Sequence, residues 1–482
     1  MKSIASVLSI IALGFGLLGC PGSGGGGGVT FAITTTAAPF GVVGNAYSST
    51  LATTGGTAPL TWILFGGVLP NGLSLNGATG VVSGTPTAAG NSTVTFTVTD
   101  STGKTATGSV LFAVHPRTDR VSVDSSGAAG TGASSAPSIN GDGSLVAFVS
   151  QSTNFVATVG GTQIYVHNRQ TNQIELVSRD NSASVVTEGN GVSSAPSISA
   201  EGRFVGFVSL ATNLLAPGPA VPAGQQIYVR DRQTGLTSLV SVDNNVTTNP
   251  GNGVSSAPTM SADGRFVAFV SLATNLLAPG PAVPAGQQIY VRDRQTGLTS
   301  LVSVDNNVAP NPGTGLSSAP SISADGRFVA FVSVATDLLA PGAAVPAGQQ
   351  IYVRDRQTGL TSLVSVDNTG LSTPGNGDSS APSISADGRF VAFVSLATTL
   401  LAPGPAVPAG QQIYVRDRQL GQSSLASQDN TNTNVAGTGG GGVSDTPSTN
   451  SNGGFVAFFS QATNLVTAPP AAPSDIYVRA MP

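Results

Sequence analysis

The sequence predicts an all-β protein in which a small antiparallel β-sandwich precedes a six-bladed β-propeller. Charged residues make up only 9% of the 482 residues, whereas glycine and proline number 62 and 31, which is typical of short strands joined by turns. Short alternating stretches bounded by Gly, Pro and Asn fill residues 29–115, as in a sandwich. From residue 117 to 482 the chain repeats about every 62 residues, and such a period indicates a repeat architecture.

Each repeat contains four strand candidates, the number that forms a propeller blade. In the second repeat they are residues 196–199, 204–208, 226–229 and 236–242. A Glu-Gly turn, replaced by Asp-Gly in three other copies, joins the first two strands, and such a dipeptide between apolar runs favours a hairpin. The second strand is apolar almost throughout, as expected where both faces of a sheet pack against neighbouring blades.

Three residue types recur six times each and set the number of blades. They are the first-strand prolines Pro137, Pro196, Pro258, Pro320, Pro382 and Pro447; the third-strand tyrosines Tyr165, Tyr228, Tyr290, Tyr352, Tyr414 and Tyr477; and the aspartates that end the fourth strand, Asp124, Asp180, Asp243, Asp305, Asp367 and Asp429. The series starts with a fourth strand, 120–124, and stops after a third, 475–479. We therefore expect the leading strand to complete the last blade and close the ring, which removes free sheet edges. An open solenoid, which would need caps instead, is the alternative.

Residues 1–20 are predicted to be a lipoprotein signal peptide. Lys2 precedes an apolar run over residues 4–18, which is too short for a membrane span. The run ends in Leu-Leu-Gly-Cys at 17–20, which resembles the lipobox of bacterial lipoproteins and implies that Cys20 is acylated and becomes the mature N-terminus. Cys20 is the only cysteine, so the exported chain has no disulfide partner for it. An ordinary signal peptide with a stray cysteine is the alternative.

A Gly-rich stretch at 21–28 then forms a flexible tether. We expect the mature protein in the cell envelope, lipid-anchored to a bacterial membrane, with the outer membrane favoured and the protein facing the periplasm or the surface. We also expect a monomer. The net charge of −4 and the lack of a basic cluster argue against a nucleic-acid partner.

The segment 29–115 carries a series of family motifs. In order they are GNAYSSTL (44–51), GGTAPLTWIL (55–64), LPNGLSL (69–75), ATGVVSGTPTAAG (78–90) and FTVTDSTGKTA (96–106). Together they resemble the immunoglobulin-like modules of bacterial surface proteins, so Trp62 is expected in the core between two sheets. Related cadherin-like domains bind calcium, but a calcium site needs several carboxylates and Asp100 is the only acidic residue here. We expect a spacer without calcium.

The repeats carry a second resemblance. SADGRFVAFVS (261–271) and IYVRDRQTG (289–297) are similar to TolB-like propeller repeats, a family of exported bacterial proteins related to WD repeats. The resemblance covers 117–482 and implies a periplasmic or surface-associated protein that binds other proteins. Many such repeats have an acidic loop before the third strand, whereas here that loop is rich in Ala, Pro and Gly and only Asp475 keeps an acid. We therefore expect no metal there.

The sequence offers no catalytic set, and we predict no enzyme, no catalytic residue and no cofactor. His115 lies at the junction of the two domains, and His167 replaces the arginine of the third strand in the first blade, where a solvated polar position is expected. The three glutamates stand at unrelated repeat positions, and no nucleophile elbow, zinc motif or phosphate loop is present.

The charged residues of the repeats have structural explanations. The Arg-Asp-Arg group at 230–232 recurs at 292–294, 354–356 and 416–418, beside the turn from the third to the fourth strand. We expect it to make ion pairs and turn hydrogen bonds rather than a charged ring. Asp243 and its equivalents are expected to hold the loops that follow them.

One end of the propeller is predicted to carry the function. In an antiparallel blade the loop from the second to the third strand and the blade-to-blade connection lie at the same end, opposite the tight turns. In four blades the first of these loops contains a leucine pair, and an exposed apolar rim would be a partner surface. The candidate residues are Leu214, Leu215, Leu276, Leu277, Leu338, Leu339, Leu400 and Leu401. The alternative is that these leucines fold inward and cap the blades.

Three functions are consistent with these observations. The first is a membrane-anchored, non-enzymatic binding or scaffold protein whose long-loop end recognises a protein or other envelope component. The second is a hydrolase of glycans or lactones, which would require clustered carboxylates around the mouth of the central channel. The third is a purely structural surface protein, since the repeats are nearly identical.

Overall fold

A computed structural model describes residues 30–115, 120–156, 161–182, 187–216, 224–245, 249–278, 286–307, 311–339, 348–371, 373–403, 410–428, 443–462 and 475–481, together with the single residues 221, 283, 407 and 465. All regular elements in these residues are β-strands. None of the described residues forms a helix long and apolar enough to cross a membrane. The chain divides into two compact units, at residues 1–119 and 120–482.

The first unit is a β-sandwich of two main sheets and a short ribbon. One sheet has the strand order β2-β9-β8-β5, the other has the order β3-β7-β6, and β1 pairs with β4. The strands are β1 (Ala32–Ile33), β2 (Gly41–Val42), β3 (Tyr47–Thr50), β4 (Thr53–Thr54), β5 (Thr61–Gly66), β6 (Leu73–Asn76), β7 (Val81–Gly84), β8 (Gly90–Thr99) and β9 (Thr105–His115).

Alternation along β8 builds the core of this sandwich. Val94, Phe96 and Val98 point to one face and are fully buried, because successive side chains of a strand point to opposite faces. Trp62 is 4% exposed and belongs to the same core, as the sequence predicts. Asp100 accepts hydrogen bonds from Thr102 and from backbone amides of the β8–β9 turn, so its carboxylate stabilises a turn.

The second unit contains six sheets. Five are four-stranded with consecutive strand order, and the last, β30-β31-β32, has three strands. The strands are β10 (Ser134–Ile139), β11 (Leu145–Ser150), β12 (Gln163–Asn168), β13 (Gln173–Leu176), β14 (Ser193–Ile198), β15 (Phe204–Ser209), β16 (Gln226–Asp231), β17 (Leu236–Leu239), β18 (Ser255–Met260), β19 (Phe266–Ser271), β20 (Gln288–Asp293), β21 (Leu298–Leu301), β22 (Ser317–Ile322), β23 (Phe328–Ser333), β24 (Gln350–Asp355), β25 (Leu360–Leu363), β26 (Ser379–Ile384), β27 (Phe390–Ser395), β28 (Gln412–Asp417), β29 (Gln422–Leu425), β30 (Ser444–Thr449), β31 (Phe455–Ser460) and β32 (Asp475–Ala480).

Backbone hydrogen bonds join the six sheets in sequence around one axis. At the end of the first strand of each of the first five blades, an amide donates to a carbonyl of the next blade, each at 2.9 Å. The five bonds run from Gly141 to Ala200, from Ala200 to Ala262, from Ala262 to Ala324, from Ala324 to Ala386 and from Ala386 to Ser451. The first strands are therefore innermost, and the predicted propeller of six blades is confirmed.

The blades pack through apolar faces on both sides of each sheet. In β15, Val205 and Phe207 face the first blade, while Val208 faces the third. The ring of Phe207 stacks on that of Tyr228 at a centroid distance of 5.9 Å. The Tyr228 hydroxyl donates to the carbonyl of Ala211, which satisfies a polar group that is otherwise fully buried.

The first-strand prolines sit in a bulge. The pairing of β14 with β15 shifts register between Ser194 and Ser197, and Ala195 has a φ of 49°. Proline cannot donate to a sheet ladder, and a bulge on the innermost edge strand leaves its position unpaired. The same positive φ recurs at the equivalent position of every blade.

The predicted closing strand is corrected by the structure. Residues 120–124 do not pair with β32, and Val123 makes an isolated bridge to Ala129 instead. The register explains the error. The fourth strand of the second blade ends at Leu239, so residues 121–124 correspond to 240–243, which lie beyond the strand. Residues 117–119, which align with the strand itself, lie outside the described residues.

Apolar side chains of the sixth blade are accordingly more exposed than their equivalents in other blades, on the side that would face the first blade. Ile476 and Val478 in β32 are 71% and 67% exposed, whereas the equivalent Ile227 and Val229 in β16 are fully buried. Ile139 in β10 is 59% exposed, compared with 8% for Ile198 in β14. Within the described part of the chain, the packing seen at the other blade interfaces is not formed here.

Candidate binding face of the propeller

The antiparallel order of each blade gives the propeller two different ends. We call the end that carries the tight turns between first and second and between third and fourth strands the turn face. The opposite end, with the second-to-third loops and the blade-to-blade connections, is the loop face.

Ion pairs occupy the turn face. The guanidinium of Arg265, in the first turn of the third blade, donates from Nε and Nη2 to the two carboxylate oxygens of Asp293, at 2.9 and 2.7 Å. Arg203 holds Asp231 in the same way in the second blade and, with backbone amides of the following turn, lowers the pKa of that carboxyl to about 2. Both arginines are less than half exposed.

Cation–π contacts connect neighbouring blades on this face. The guanidinium of Arg294 in the third blade lies 4.3 Å from the ring centroid of Phe204 in the second, and Arg203 lies 4.7 Å from the same ring. Arg294 also donates from Nη1 to the carbonyl of Gly264 at 2.7 Å.

The first arginine of each Arg-Asp-Arg group is buried between blades. Arg292 donates from Nη1 to the carbonyl of Asp243 in the preceding blade at 3.1 Å and to Thr299 at 2.9 Å. Arg230 is fully buried, and this burial lowers its pKa to about 10. These groups therefore make ion pairs and hydrogen bonds, as the sequence predicts, and do not form an exposed charged ring.

The aspartates after the fourth strands hold the connections on the loop face. Asp243 accepts hydrogen bonds from the backbone and side-chain amides of Asn249 and of Asn245. Asp305 repeats this arrangement with Asn307 and Asn311. Asp429 lies outside the described residues.

Of the two arrangements that the sequence allows for the leucine pairs, the structure shows the inward-facing one and not an exposed rim. The first leucine of each pair is 0% exposed and belongs to the core between two blades, and the second is partly buried against the same core. The first leucines are Leu214, Leu276, Leu338 and Leu400, and the second are Leu215, Leu277, Leu339 and Leu401. They face inward because the loop folds over the gap between adjacent sheets.

A different set of apolar side chains is exposed on the loop face. We call it the apolar crescent, and its members are Val192, Leu210, Val254, Leu272, Leu316, Val334 and Leu396, which are 39–56% exposed. Each directly precedes a first strand or follows a second strand, the two strands nearest the axis. The amide of Leu272 donates to the carbonyl of Val254 at 2.9 Å, so the two residues of one blade stand side by side.

The crescent is confined to the second to fifth blades. In the first blade its positions hold Ala133 and Gln151, and in the sixth blade they hold Val443, which is partly buried, and Gln461. In the fifth blade the exposed Asp378 replaces the apolar residue before the first strand. The sequence contained this signal, because Leu210 and its equivalents recur directly after the serine that ends each second strand.

Apolar side chains also line the central channel at the turn face. A pocket of about 320 Å³ is surrounded by the ends of all six first strands, and none of the described residues that line it is Asp or Glu. Ile198, Met260, Ile322 and Ile384 contribute its apolar wall.

The histidines and one of the glutamates noted in the sequence make contacts within the fold. His167 is buried and its Nε2 lies 3.0 Å from the Asn172 side-chain oxygen, so the expected solvated position is wrong. His115 ends β9 of the sandwich, with its ring 5.1 Å from that of Phe40. Glu175 pairs with Arg232 at 2.9 Å. Within the ranges that the structure describes, no three His, Cys, Asp or Glu side chains converge to hold a metal.

Comparisons with known proteins agree with the two-part architecture. A family model described as "Putative Ig domain" matches residues 29–115. No curated protein sequence matches this chain. The immunoglobulin-like module followed by a propeller, predicted from the sequence, is confirmed.

Several solved structures are similar to the chain. TolB from Acinetobacter baumannii has 16% identity and a TM-score of 0.34, and the match covers 68% of this chain and 58% of that one. An oligogalacturonate lyase in complex with manganese has 12% identity and a TM-score of 0.41, over 92% and 98% of the two chains. Pyrococcus horikoshii acylaminoacyl peptidase has 14% identity and a TM-score of 0.39, over 73% and 46%. The chain thus spans less than two thirds of that TolB, and these likenesses assign no role to any residue here.

Proposed function

We propose that this protein is a lipid-anchored component of the bacterial cell envelope that binds a protein partner through the loop face of its propeller. Cys20 carries the anchor, the tether at 21–28 and the immunoglobulin-like module hold the propeller away from the membrane, and the partner contacts the apolar crescent. The protein acts by binding and not by catalysis.

The apolar crescent is the observation that carries this proposal. Seven aliphatic side chains stay 39–56% exposed at equivalent positions of four blades, next to loops whose leucine pairs are buried or partly buried. Grouped exposed apolar residues mark interaction surfaces. Because these side chains are already about half buried, completing the burial of one of them contributes about 1 kcal/mol, so a complex needs several of them together.

The charges of the propeller are consistent with a partner on this face. The arginines that precede the second strands and follow the third strands lie on the turn face, where they pair with aspartates or stack on phenylalanines. On the loop face Asp378 is exposed beside the crescent. We therefore expect the partner to present apolar side chains together with a basic residue.

Site-specific photo-cross-linking in the native envelope tests this function. A photoreactive amino acid at Leu272, in the crescent, should give a discrete cross-linked product that mass spectrometry identifies. The matched control is Leu298 in the same blade, which is 55% exposed compared with 48% for Leu272 but starts the fourth strand, beside the turn face. Equal products from both positions, or none from Leu272, would contradict the proposal.

Membrane anchoring has its own test. Cys20→Ser should release the protein from the membrane fraction into the soluble fraction, because no other residue is proposed to carry lipid. A Cys20→Ser protein that still floats with membranes would refute the anchor without affecting the binding face.

A further inference from the structure

An exposed apolar patch lies on the immunoglobulin-like module, which is a separate unit from the propeller. Ile63, Leu64 and Phe65 at the end of β5 are 54%, 42% and 70% exposed, and Val68 in the following turn is 74% exposed. We call these four residues the β5 patch. They break the alternation of a half-buried strand, because three consecutive side chains are exposed.

The backbone fixes the shape of this patch. Pairing of β5 with β8 shifts register between Leu64 and Gly66, so a bulge turns Phe65 outward. Gly67 has a φ of +78°, and a Cβ there would overlap the backbone of Thr93. The turn therefore lies tightly against β8 and holds Phe65 and Val68 on either side of two glycines.

The patch is poorly suited to pairing with a strand of another chain. β5 is an edge strand, but the amide of Trp62 already donates to the carbonyl of Gly77 at 2.7 Å across its outer edge. The bulge at Phe65 interrupts the remaining residues, and bulges are a device that blocks edge pairing. Side-chain burial, and not strand addition, is what this surface offers.

Charge and chain length indicate what covers it. Asp100 and Lys104 are the only charged residues from 29 to 115. Both lie in the turn that follows β8, next to its last residue, Thr99. Val68 lies beside Ser92, near the first residue of the same strand, so the patch and the charges are at opposite ends of β8. Only nine residues, 21–29, separate Cys20 from the first described residue, Thr30. Nine extended residues span at most about 30 Å, and the ten-residue strand β8 gives the module a similar length of about 34 Å.

We propose that the β5 patch rests in the interfacial region of the lipid bilayer that holds Cys20. This rests on the proposed anchor. The chain enters the module beside the Asp100 turn, where Phe31 lies against Gly56 and the amide of Thr57 donates to Asp100. A tether of up to about 30 Å therefore has to extend along the module for the patch to reach the membrane. A lipid bilayer can bury exposed apolar side chains without the complementary surface or the free strand edge that a protein partner would need. The module would then be a spacer that also contacts the membrane directly through the β5 patch.

The single tryptophan of the chain provides the measurement. Trp62 directly precedes the patch, and no other residue contributes indole fluorescence. The mature chain, residues 20–482, is coupled through its only cysteine to a maleimide-headgroup lipid in phosphatidylcholine–phosphatidylglycerol vesicles. This coupling places the protein on the membrane whether or not the cell acylates Cys20, so failure of the native anchor cannot be confused with failure of the patch.

Vesicles with brominated acyl chains should quench Trp62, and the double variant Phe65→Ser with Val68→Ser should lose that quenching. The matched control is Leu371→Ser, which removes an 84% exposed leucine of the propeller and should leave the quenching unchanged. Circular dichroism checks that each variant is folded.

Two results would overturn the inference. One is the absence of quenching in the coupled wild-type protein, or quenching that persists in the double variant. The other is a dimer, seen by light scattering of the uncoupled protein, that dissociates in the double variant, because the patch would then bind a second copy of the chain.

Discussion

The guanidinium of Arg294 lies 4.3 Å from the ring centroid of Phe204, and the two residues belong to adjacent blades. Equivalent contacts join Arg356 to Phe266 at 4.6 Å and Arg418 to Phe328 at 4.7 Å. The charged residues of the repeats are therefore part of the packing between blades on the turn face, whereas the apolar crescent is exposed on the loop face.

Removal of Arg294 should destabilise the propeller. Arg294→Ala loses a cation–π contact and a hydrogen bond to the carbonyl of Gly264, so we expect a loss of about 1–2 kcal/mol of unfolding free energy. The control, Arg120→Ala, removes an exposed arginine of the same unit and should change stability by less than about 0.5 kcal/mol. Calorimetric melting of the two variants measures the difference, and equal melting temperatures would contradict this role for Arg294.

The two leucine positions of one loop should respond in opposite ways. Leu276 is 0% exposed, so Leu276→Ala should cost about 2–5 kcal/mol of stability by leaving a cavity. Leu272, four residues earlier and 48% exposed, should tolerate alanine within about 1 kcal/mol. Chemical denaturation tests the pair. A larger loss from Leu272→Ala would mean that the buried and exposed residues of this loop are wrongly assigned.

The turn-face ion pairs should make the propeller sensitive to acid. Arg203 and backbone amides lower the pKa of Asp231 to about 2, and Arg265 lowers that of Asp293 further. An aspartate of the unfolded chain has a pKa near 3.9, so the stabilisation is present above about pH 4 and is lost as the pH falls towards 2. The melting temperature, measured from pH 6 to pH 2, should decrease mainly between pH 4 and pH 2.

Asp293→Asn gives the control for this pH dependence. The variant should be less stable at pH 6 and should lose less stability than the wild type between pH 4 and pH 2. Asp378→Asn, which changes an exposed carboxylate on the loop face, should leave the wild-type profile unchanged. Parallel profiles for Asp293→Asn and the wild type would show that the ion pair is not the cause.

The glycine of the first turn should be essential in the third blade. Gly264 has a φ of +68°, and a Cβ there would overlap the ring of Phe204 in the preceding blade. Gly370 has a similar φ of +81° but open space around it. Gly370→Ala should therefore cost about 1–2 kcal/mol, the strain of a left-handed alanine, and Gly264→Ala about 1–3 kcal/mol more. Thermal melting of both variants decides whether the inter-blade contact exists.

Much of the fold was predictable because the repeats show the same strand pattern six times, whereas a single copy would not identify the fold. One copy of Phe204 to Val208 would fit any buried strand, but six copies in a fixed order with Tyr228 and its equivalents indicate blades. The core position of Trp62 was expected from the resemblance to immunoglobulin-like modules. The closing strand was misplaced because Arg120 to Asp124 match the end of each repeat, and the sequence does not show that this end lies beyond the fourth strand.

The residues of the proposed binding face were harder to predict. Leu214 and Leu272 are both leucines in the same kind of loop, and their burial depends on where the loop crosses the gap between two sheets. The sequence has no periodic pattern that predicts where the loop crosses this gap. Likewise, His167 was expected in solvent because it replaces an arginine, but Arg230 and its equivalents are themselves buried between blades.

The affinity of the partner captured at position 272 tests the central claim most directly. Isothermal titration of that partner should give a dissociation constant at least about tenfold higher for Leu272→Asp than for the wild type. The variant loses the remaining burial of a leucine that is 48% exposed, about 1 kcal/mol, and it places a carboxylate in an apolar interface. Leu298→Asp, which changes a residue of similar exposure beside the turn face, should bind like the wild type. Unchanged affinity for Leu272→Asp, or an equal loss for Leu298→Asp, would contradict binding through the apolar crescent.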